Sequence, residues 1–457
     1  MEGFWNRRDE LAQIRRRLGR GGFGYVTGRR RVGKTALLLQ AGRLFGGVYH
    51  QAVEGTPQQQ LLHAAEELRE AFPILREVAP KSWAEFFRLL SREKLPRLLI
   101  FDEFPYWVSG DPSLASVLQK WVDHELPKTK TLVLVSGSSQ SMLHSQFLDH
   151  SAPLYGRASL HLHLEPMGYP WFCRVLGCDP ADPVSFARFT LVGGVPHYWR
   201  LMPKGSWLRQ AQALYFEPSA ILAEEPVHLL RDEGIGGALP RAILDLVGRG
   251  VSKPSELAAR LGTAQGNLSR PLAILLGLGL VRREMPFGES SRTTKRVLYT
   301  VEDPALSFYY GTYLPFRARW PALSSGEKEE VLRAHVSRQW ERFCRQVHPG
   351  SGRYWEKDVE LDLVVRRKAG GSYRVAECKW AELTPRGLER EQKRLREKFA
   401  GTRLSRKLKK VEFRVFTPKD LRELTHAAQL RRKSRHVREG SLKMLERMER
   451  LEDDPPG

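Results

Sequence analysis

The stretch FGYVTGRRRVGKTALLLQ, residues 23–40, decides the fold of the first part of the chain. Its first six residues form a short apolar run with β-branched side chains, which predicts a strand closed by glycine. GRRRVGKT, residues 28–35, has the spacing G-x-x-x-x-G-K-T, and apolar side chains then recur with helical spacing. A strand, this loop and a helix in that order predict a phosphate-binding loop.

The loop residues have distinct predicted roles. Gly28 and Gly33 allow the backbone to curl so that N–H groups point at phosphate oxygens, and the N-terminus of the following helix adds a partial positive charge. Lys34 is expected to reach the β- and γ-phosphates, and Thr35 is expected to ligate Mg²⁺. The sequence therefore predicts that the chain binds ATP with Mg²⁺.

A second motif, PRLLIFDEFPYW at residues 96–107, supplies the acidic partner of the loop. Residues 98–101 predict a buried strand that ends in Asp102 and Glu103. We expect Asp102 to hold the metal through a water molecule and Glu103 to polarise the attacking water. The alternative is a strand-end turn with two solvated acids.

A third buried strand is predicted in TLVLVSGSSQSM, residues 131–142, which ends in small polar residues. Ser138 or Ser139 there either senses the γ-phosphate or forms a tight turn. Strands that alternate with helical stretches indicate an α/β fold with a parallel sheet covered on both faces. ATP is expected beyond the carboxyl ends of these strands.

Six motifs occur in order over about the first 225 residues: FWNRRDEL, GRRRVGKT, LLIFDEFPYW, LVSGSSQSM, SAPLYGRASLHLHLEPM and LVGGVPHYW. Together they resemble the archaeal-type ATPase family, which belongs to the signal-transduction ATPases with numerous domains within the AAA+ class. The resemblance implies a nucleotide-binding core over residues 1–165 and a helical lid over residues 166–225. It also implies that Arg7 lies near the nucleotide base and that Arg157 senses phosphate, although Arg157 equally fits a structural salt bridge.

Three helical patterns with short breaks follow within residues 226–320: ALPRAILDLVGRG, SKPSELAARLG and TAQGNLSRPLAILLGLGLVRRE. Two predicted strands then flank a basic loop, as in the wing of a winged helix-turn-helix whose recognition helix would be residues 265–277. The side chains offered to base edges and phosphates are Gln265, Asn267, Ser269, Arg270, Arg292, Lys295 and Arg296. Such units also serve as rigid connectors or protein-binding modules.

The last part, residues 321–457, contains the tripeptide Glu-x-Lys within RVAECKW, residues 374–380. The same spacing recurs at Glu391 and Lys393 in a charged helical pattern, so the tripeptide alone is a weak signal. The upstream segment is more informative. YWEKDVELDLVVRRK predicts one strand and KAGGSY a tight turn before the strand that contains YRVAECKW.

A hairpin of these two strands would bring Asp362, Glu377 and Lys379 together at one end. Carboxylates offer hard oxygen ligands for Mg²⁺ or Mn²⁺, and a lysine can orient water or stabilise developing negative charge. Glu341, in the helical pattern RQWERFCRQV, is a further candidate ligand. The alternative is a cross-strand charge pair in a domain that only binds nucleic acid.

WERFC, YWEKDVELDLV and AECKW, in order, resemble the C-terminal domain commonly attached to archaeal-type ATPases, and more widely the restriction-endonuclease-like fold. The resemblance implies that Asp362 and Glu377 bind a metal ion, that Lys379 aids the attacking water and that Glu341 supports the site. The predicted fold is therefore α/β: a P-loop parallel sheet with a helical lid, then a winged helix-turn-helix, then a restriction-endonuclease-like α/β domain with a basic C-terminal region.

The 457-residue chain has a formal net charge of +22. Such an excess attracts polyanions, so double-stranded DNA is the predicted partner beside ATP, with a merely solvated basic surface as the alternative. No apolar run approaches the roughly 20 residues of a membrane span. The polar N-terminus, and four cysteines without a metal-ligand or disulfide pattern, predict a cytoplasmic protein. A second copy of the chain is a further candidate partner.

These features predict an ATP-binding and ATP-hydrolysing molecular switch that interacts with DNA and carries a nuclease-like effector domain. Two other functions stay open: an ATP-gated DNA-binding regulator without nuclease activity, and a signalling ATPase that recruits proteins. Metal-dependent cleavage of DNA separates the first function from the second. Affinity for DNA separates both from the third.

Overall fold

The computed structural model describes residues 4–137, 152–235, 237–290, 292, 294–367 and 371–437. These residues form two compact units. The first comprises residues 4–166 and 229–235, and the second comprises residues 167–228 and 237–437 within the described ranges. Within those ranges no helix is both long and apolar enough to span a bilayer. The finer division into core, lid, winged helix-turn-helix and nuclease-like domain stays a prediction.

The first unit is an α/β structure. Its strands are β1 (Gly22–Gly28), β2 (Val48–Gln51), β3 (Leu98–Asp102), β4 (Leu132–Ser136) and β5 (Ala158–Leu164). Its helices are α1 (Arg8–Arg17), α2 (Lys34–Phe45), α3 (Pro57–Leu68), α4 (Ile74–Glu77), α5 (Trp83–Leu90), α6 (Phe104–Gly110) and α7 (Leu114–His124). The strands pair in parallel in the order β2-β3-β4-β1-β5, which confirms the predicted α/β fold with a parallel sheet.

Buried side chains cover both faces of this sheet, as in other parallel sheets that carry helices on each side. Every residue of β3 is buried, and its side chains alternate between two clusters. Leu99 and Phe101 pack into a cluster rich in aromatic rings, which includes Trp107. Ile100 packs on the other face with Leu37 of α2. This alternation determines the face on which each strand-end side chain lies.

The second unit begins with helices, followed by a small antiparallel pair of strands. The first helices are α8 (Tyr169–Leu176), α9 (Pro183–Val192), α10 (Pro196–Arg200), α11 (Trp207–Ala211) and α12 (Ile221–Asp232), whose last residues belong to the first unit. Next come α13 (Ala238–Gly248), α14 (Pro254–Arg260), α15 (Ser269–Gly277), β6 (Val281–Glu284) and β7 (Leu298–Val301). A 3₁₀ turn, Gln265–Leu268, precedes α15, so the predicted helix over residues 265–277 is α-helical only from Ser269.

The remainder of the second unit surrounds a four-stranded sheet. Its strands are β8 (Gly352–Glu356), β9 (Val359–Arg366), β10 (Tyr373–Cys378) and β11 (Val411–Phe416), in the order β11-β10-β9-β8. β10 and β11 are parallel and the other pairs are antiparallel. The helices are α16 (Pro304–Phe308), α17 (Leu314–Phe316), α18 (Ser325–Val347), α19 (Pro385–Ala400), α20 (Arg403–Lys407) and α21 (Leu421–Val437).

The single strand predicted for YWEKDVELDLVVRRK is wrong, because this segment forms the hairpin of β8 and β9. Glu356 pairs with Val359 across a two-residue turn. Lys357 adopts a left-handed backbone there, with φ of 51°. Two-residue hairpin turns usually contain Gly or Asn at positions with a left-handed backbone, so the sequence Lys357-Asp358 does not indicate a turn. Residues 368–370 of the predicted KAGGSY turn lie outside the described residues.

Strand β8 lies at one edge of its sheet and is covered by the segment that connects β6 and β7. The Phe287 N–H donates to the Arg353 carbonyl at 2.7 Å, and Arg296 Nη1 donates to the Trp355 carbonyl at 3.0 Å. Arg353 also lies 3.5 Å from Glu284 at the end of β6. These bonds occupy backbone groups that an edge strand would otherwise leave unpaired.

Gly248→Ala is expected to destabilise the second unit. A Cβ added at Gly248, the last residue of α13, would lie 2.1 Å from the Cβ of Tyr310. The helix and the π-helical turn Tyr309–Tyr313 would have to separate, and overpacking of this kind costs about 1–3 kcal/mol. Urea denaturation followed by circular dichroism measures the loss.

The matched control is Gly277→Ala at the last residue of α15, where nothing lies within 4 Å of an added Cβ. This change should be neutral or stabilising by up to about 1 kcal/mol, because it restricts the unfolded chain. Equal free energies of unfolding for the two variants would contradict the close contact at Gly248.

Candidate functional sites

The phosphate-binding loop joins β1 to α2, as its sequence context predicts. Gly28 and Gly33 have φ of 141° and 101°, which side chains with a Cβ rarely adopt. A Cβ at Gly28 would also lie 2.6 Å from the Leu164 carbonyl oxygen on β5. Glycine at position 28 is therefore required both by the turn of the loop and by the close approach of the neighbouring strand.

The Lys34 ammonium lies inside this loop. Its Nζ donates to the carbonyls of Gly28 at 2.8 Å and Arg29 at 3.1 Å. Burial lowers the pKa of Lys34, and the negative charges of Glu103 and Asp102 oppose that change. The cation is thus held at the start of α2, where helix N–H groups also favour an anion.

Asp102 is fully buried and accepts hydrogen bonds from several elements. Thr35 Oγ1 donates to Asp102 Oδ2 at 2.7 Å, so the two predicted Mg²⁺-holding residues are adjacent although 67 positions separate them. The Tyr49 hydroxyl donates to the same oxygen at 3.0 Å. Ser136 Oγ and the Glu103 N–H donate to Oδ1. The sequence reasoning missed Tyr49 and Ser136, whose only signal is a polar group near the carboxyl end of a predicted strand.

Glu103 forms the junction between β3 and α6 with a left-handed backbone, at φ of 53°. A residue other than glycine in this region costs on the order of 1 kcal/mol, and such costs cluster at functional sites. Its charge acts on the buried Lys34. Glu103 follows β3 and the loop follows β1, so both lie at the carboxyl edge of the parallel sheet.

Arg7 links the loop to the strand beyond it. Its guanidinium Nη2 donates to the carbonyls of Val32 and Glu165, each at 2.9 Å, and Nη1 lies 3.2 Å from Glu10. Arg7 is also buried, with a left-handed φ of 72°. The structure therefore places Arg7 against the loop backbone, and its role near the nucleotide base stays a prediction.

Arg157 is not brought to the loop side chains within the described part of the chain. Its Nε donates to Asp123 Oδ1 at 2.8 Å, and its Nη1 donates to the Pro153 carbonyl at 2.7 Å. This geometry fits the structural salt bridge that was the alternative to phosphate sensing. Ser138 and Ser139, the candidate γ-phosphate sensors, lie outside the described residues.

A short acidic segment of the first unit lies near the loop, and the sequence reasoning did not place it there. It belongs to residues 229–235, beyond the predicted core of residues 1–165. Asp232 forms an ion pair with Arg30 of the loop. Glu233 is buried, and its charge also acts on Lys34.

In the second unit, the register of β9 and β10 brings the predicted acidic residues together. Val375 pairs with Val364 and Ala376 with Leu363, so the next step of the register sets Glu377 opposite Asp362. The N–H of Cys378 donates to Asp362 Oδ2 at 2.8 Å.

Glu377 is buried and is bracketed by two lysines. Lys379 Nζ donates to Glu377 Oε1 at 2.9 Å. Lys398 of α19 donates to both carboxylate oxygens, at 3.0 and 3.2 Å. The sequence reasoning missed Lys398, which lies 21 positions away on a helix with many other basic residues.

Glu341 and Asp362 are partly buried acids whose pKa values are raised although positive charges of nearby arginine and lysine side chains oppose the change. Burial, and then the charge of Glu377, raise the pKa of Asp362 to about 6. Burial, and then the charge of Asp362, raise the pKa of Glu341 to about 7. The charge of Asp362 acts on Glu341 and that of Glu377 acts on Asp362, yet among the described residues the oxygens of the three carboxylates do not all lie within 4.8 Å of one another.

The side chains predicted to contact DNA are exposed, but one of them, Arg296, also contacts other residues of the second unit. Gln265, Asn267, Ser269, Arg270, Arg292, Lys295 and Arg296 all lie at the surface. Arg296 also forms an ion pair with Glu289, in addition to its hydrogen bond with the Trp355 carbonyl. Its guanidinium is therefore committed to contacts within the second unit.

Comparisons with known proteins agree with the nucleotide site. Residues 4–171 match a family described as an ATPase domain predominantly from Archaea. Residues 316–394 match a second family, described as archaeal and bacterial proteins of unknown function. The first match and the loop geometry support a P-loop ATPase, with ATP hydrolysis as the activity of the first unit.

One curated relative and one solved structure are similar to this chain over most of its length. An uncharacterised protein of Methanocaldococcus jannaschii, MJECL04, is 25% identical over 414 residues, which cover 85% of this chain and 90% of the relative. The solved structure of the Walker-type ATPase PABY2304 of Pyrococcus abyssi superposes with a TM-score of 0.51 at 17% identity, over 67% of this chain and 96% of that one. The latter likeness concerns the fold alone.

Glu103→Gln should leave ATP binding intact and lower the rate of hydrolysis by at least about 100-fold, because general-base catalysis contributes that much or more. Lys34→Ala should instead weaken ATP binding, since it removes the cation inside the loop. Calorimetric titration measures binding, and phosphate release measures turnover. Glu77→Gln, at an exposed position of α4, is the control. Wild-type turnover in the Glu103 variant would contradict its assignment as the base.

Stability around β9 and β10 should fall as pH rises from about 4 to 7. The pKa values of Asp362 and Glu341 in the folded chain, about 6 and about 7, lie above their ordinary values of 3.8 and 4.5. The folded state therefore binds more protons than the unfolded state in this window, and stability is lost as pH rises through the folded pKa values. Hydrogen exchange of peptides from β9 and β10, corrected for intrinsic rates, measures the trend.

Asp362→Asn should flatten that pH dependence and slow exchange at pH 8. Asp358→Asn, in the exposed turn between β8 and β9, serves as the matched control and should behave as wild type. An unchanged pH dependence in the Asp362 variant would show that the coupled acids do not destabilise this sheet.

Proposed function

We propose that this protein is an ATP-hydrolysing molecular switch whose second unit binds double-stranded DNA and cleaves phosphodiester bonds at a metal-dependent site. The ATPase activity rests on the loop geometry and the family match of residues 4–171. The finer parts of the proposal are a helical lid, a winged helix-turn-helix and a restriction-endonuclease-like fold. Mg²⁺ would be held at the nucleotide site by Thr35 and Asp102.

The observation that carries the nuclease proposal is the pairing of Asp362 with Glu377 beside Lys379. Two acids on adjacent antiparallel strands would repel each other unless a cation or protons intervene. Burial, and then the charge of Glu377, raise the pKa of Asp362. Glu377 is already contacted by Lys379 and Lys398, so a cation would act mainly at Asp362, whose Oδ2 accepts from the Cys378 N–H and whose repulsion by Glu377 it would relieve.

The donor set fits Mg²⁺ or Mn²⁺, because both prefer hard oxygen ligands. Asp362 and Glu377 would hold the ion, with Glu341 as a third carboxylate. Such an ion supplies charge stabilisation at phosphate oxygens and lowers the pKa of a bound water. Lys379 lies 2.9 Å from Glu377 and would orient the attacking water or the phosphate.

DNA binding is supported by charge and by exposure. The net charge of +22 favours a polyanion, and the polar side chains on the 3₁₀ turn before α15 are open to solvent. Arg292 and Lys295 extend from the segment between β6 and β7, where a wing would contact phosphates. Arg296 contributes less to this surface, since it is tied to Trp355.

The test is cleavage of supercoiled, linear and branched DNA by the full-length protein with Mg²⁺, Mn²⁺ or EDTA, in each nucleotide state. Asp362→Asn and Lys379→Ala should each abolish cleavage, because they remove a metal ligand and the cation beside the reacting phosphate. DNA affinity, measured by fluorescence anisotropy, should change little in both variants.

Matched controls are available in the chain itself. Asp358→Asn and Lys393→Ala alter exposed residues, and Lys393 belongs to the second Glu-x-Lys tripeptide, on α19. Both should cleave as wild type. Equal cleavage by wild type and the Asp362 variant would assign the activity to a contaminant, and DNA binding without cleavage under every condition would overturn the nuclease assignment.

A second candidate function is an ATP-gated DNA-binding regulator that does not cleave. It is favoured by Lys398, whose ammonium contacts both oxygens of Glu377 and so occupies the carboxylate that a metal would need. Lys398→Ala separates the two functions. Cleavage that appears or increases in this variant supports a restrained nuclease, whereas its continued absence together with unchanged DNA affinity supports the regulator.

A further inference from the structure

Three side chains that could bind a metal meet on the first unit, away from the phosphate loop. His50 lies on β2, and His63 and Glu67 are one turn apart on α3. His50 Nδ1 lies 2.7 Å from Glu67 Oε2, and His63 Nε2 lies 3.1 Å from Glu67 Oε1. The donor atoms of all three lie within 4.8 Å of one another. Two imidazoles therefore converge on one carboxylate.

The buried histidine is in the form that binds metals. His50 is 0% exposed, and burial lowers its pKa to about 4 despite the nearby Glu67. Its imidazole is therefore neutral at physiological pH, as coordination requires. The ring stacks on Trp107 at a centroid distance of 5.2 Å. This packing fixes the orientation of the ring. In many metal sites a hydrogen bond to the second ring nitrogen has the same effect.

We propose that His50, His63 and Glu67 form a Zn²⁺ site. Ligands around a tetrahedral Zn²⁺ lie at about 2.0–2.2 Å from the ion, so neighbouring ligand atoms are roughly 3.3–3.6 Å apart. The His–Glu separations of 2.7 and 3.1 Å need to widen only slightly to admit the ion. His63 and Glu67 are 36% and 46% exposed, which leaves access for the ion and room for a water as fourth ligand.

The ligand chemistry selects the metal class. Two imidazoles and one carboxylate suit Zn²⁺ and similar late first-row ions, whereas Mg²⁺ and Ca²⁺ prefer oxygen ligands alone. The spacing of His63 and Glu67 at i and i+4 places both donors on one helix face, and β2 supplies the third donor from a different element. A site of this kind cross-links β2 and α3.

The site is separate from the nucleotide-binding Mg²⁺ site but shares a strand with it. Tyr49, the residue before His50, donates to Asp102 on the other face of the sheet. The ring that stacks on His50 belongs to α6, which begins directly after Glu103. Gln60 of α3 also donates to the Tyr106 carbonyl of α6 at 2.9 Å. Zn²⁺ would therefore stabilise the elements that support the nucleotide site.

Metal titration of the full-length protein tests the proposal. Protein stripped with EDTA and dialysed is titrated with Zn²⁺ by calorimetry, and with Co²⁺ by visible absorption, whose intensity reports a low-coordinate site with imidazole ligands. One equivalent should bind to wild type and raise the temperature of unfolding. His63→Ala and Glu67→Gln should each lower the affinity of that equivalent by at least about 100-fold, since even loss of an outer-shell partner costs 10–100-fold.

The control variants remove the same chemical groups at neighbouring or comparable positions. Glu66→Gln changes the exposed acid next to Glu67, and His124→Ala removes an exposed histidine on α7. Both should bind Zn²⁺ as wild type does. His63→Ala is preferred over a change at His50, because His63 is partly exposed and its removal leaves the core intact.

Three outcomes would overturn the proposal. Wild type could bind no Zn²⁺, its affinity could be unchanged in His63→Ala and Glu67→Gln, or the control variants could lose the same equivalent. In each case the cluster is a hydrogen-bonded His–Glu pair that orients α3. A normal circular dichroism spectrum and normal binding of ATP with Mg²⁺ by the stripped variants exclude misfolding as the cause of lost Zn²⁺ affinity.

Discussion

The hydrogen bonds of the buried Asp102 carboxylate join β3 to α2, β2 and β4, and the nucleotide site depends on them. A carboxyl group without solvent is stable only when hydrogen-bond partners surround it. Here the donors come from the loop helix and from the strands on both sides of β3: Thr35, Tyr49 and Ser136. The order β2-β3-β4 is thus coupled to the charge, because a different neighbour on either side would remove a donor. The geometry of the nucleotide site therefore depends on the order of the strands in the sheet.

The buried acids of the second unit have different surroundings from Asp102. Asp102 has a full set of donors, whereas Asp362 has a backbone N–H and a repulsive neighbour, and Glu341 faces the charge of Asp362. The carboxylate of Glu377 accepts hydrogen bonds from Lys379 and Lys398. The two sites therefore differ: donors from neighbouring elements surround Asp102, whereas burial and the charge of Glu377 raise the pKa of Asp362.

Local sequence patterns predicted the structural features that depend on residues close together in the chain. The strand, loop and helix around residues 23–40 and the burial of β3 follow from apolar spacing and glycine positions, and the observed parallel sheet agrees. The antiparallel pairing of β9 and β10, on which the proximity of Asp362 and Glu377 depends, agrees with the predicted hairpin. Contacts between distant segments did not follow, because no local pattern encodes them. Tyr49, Lys398 and the acidic segment with Asp232 and Glu233 reach their sites through tertiary packing. The β8–β9 turn was missed because Lys357 adopts a backbone that glycine usually signals.

The covered edge of β8 has a consequence for how this architecture is assembled from modules. Carbonyls of Arg353 and Trp355 are capped by Phe287 and Arg296, which belong to the preceding hairpin in the chain. A fragment cut at residue 321 would present a bare edge strand, and such edges pair with other chains and aggregate. The smallest transferable piece is therefore the hairpin together with the sheet. Recombination that moved the sheet to another protein would succeed only if the new host supplied a replacement cap.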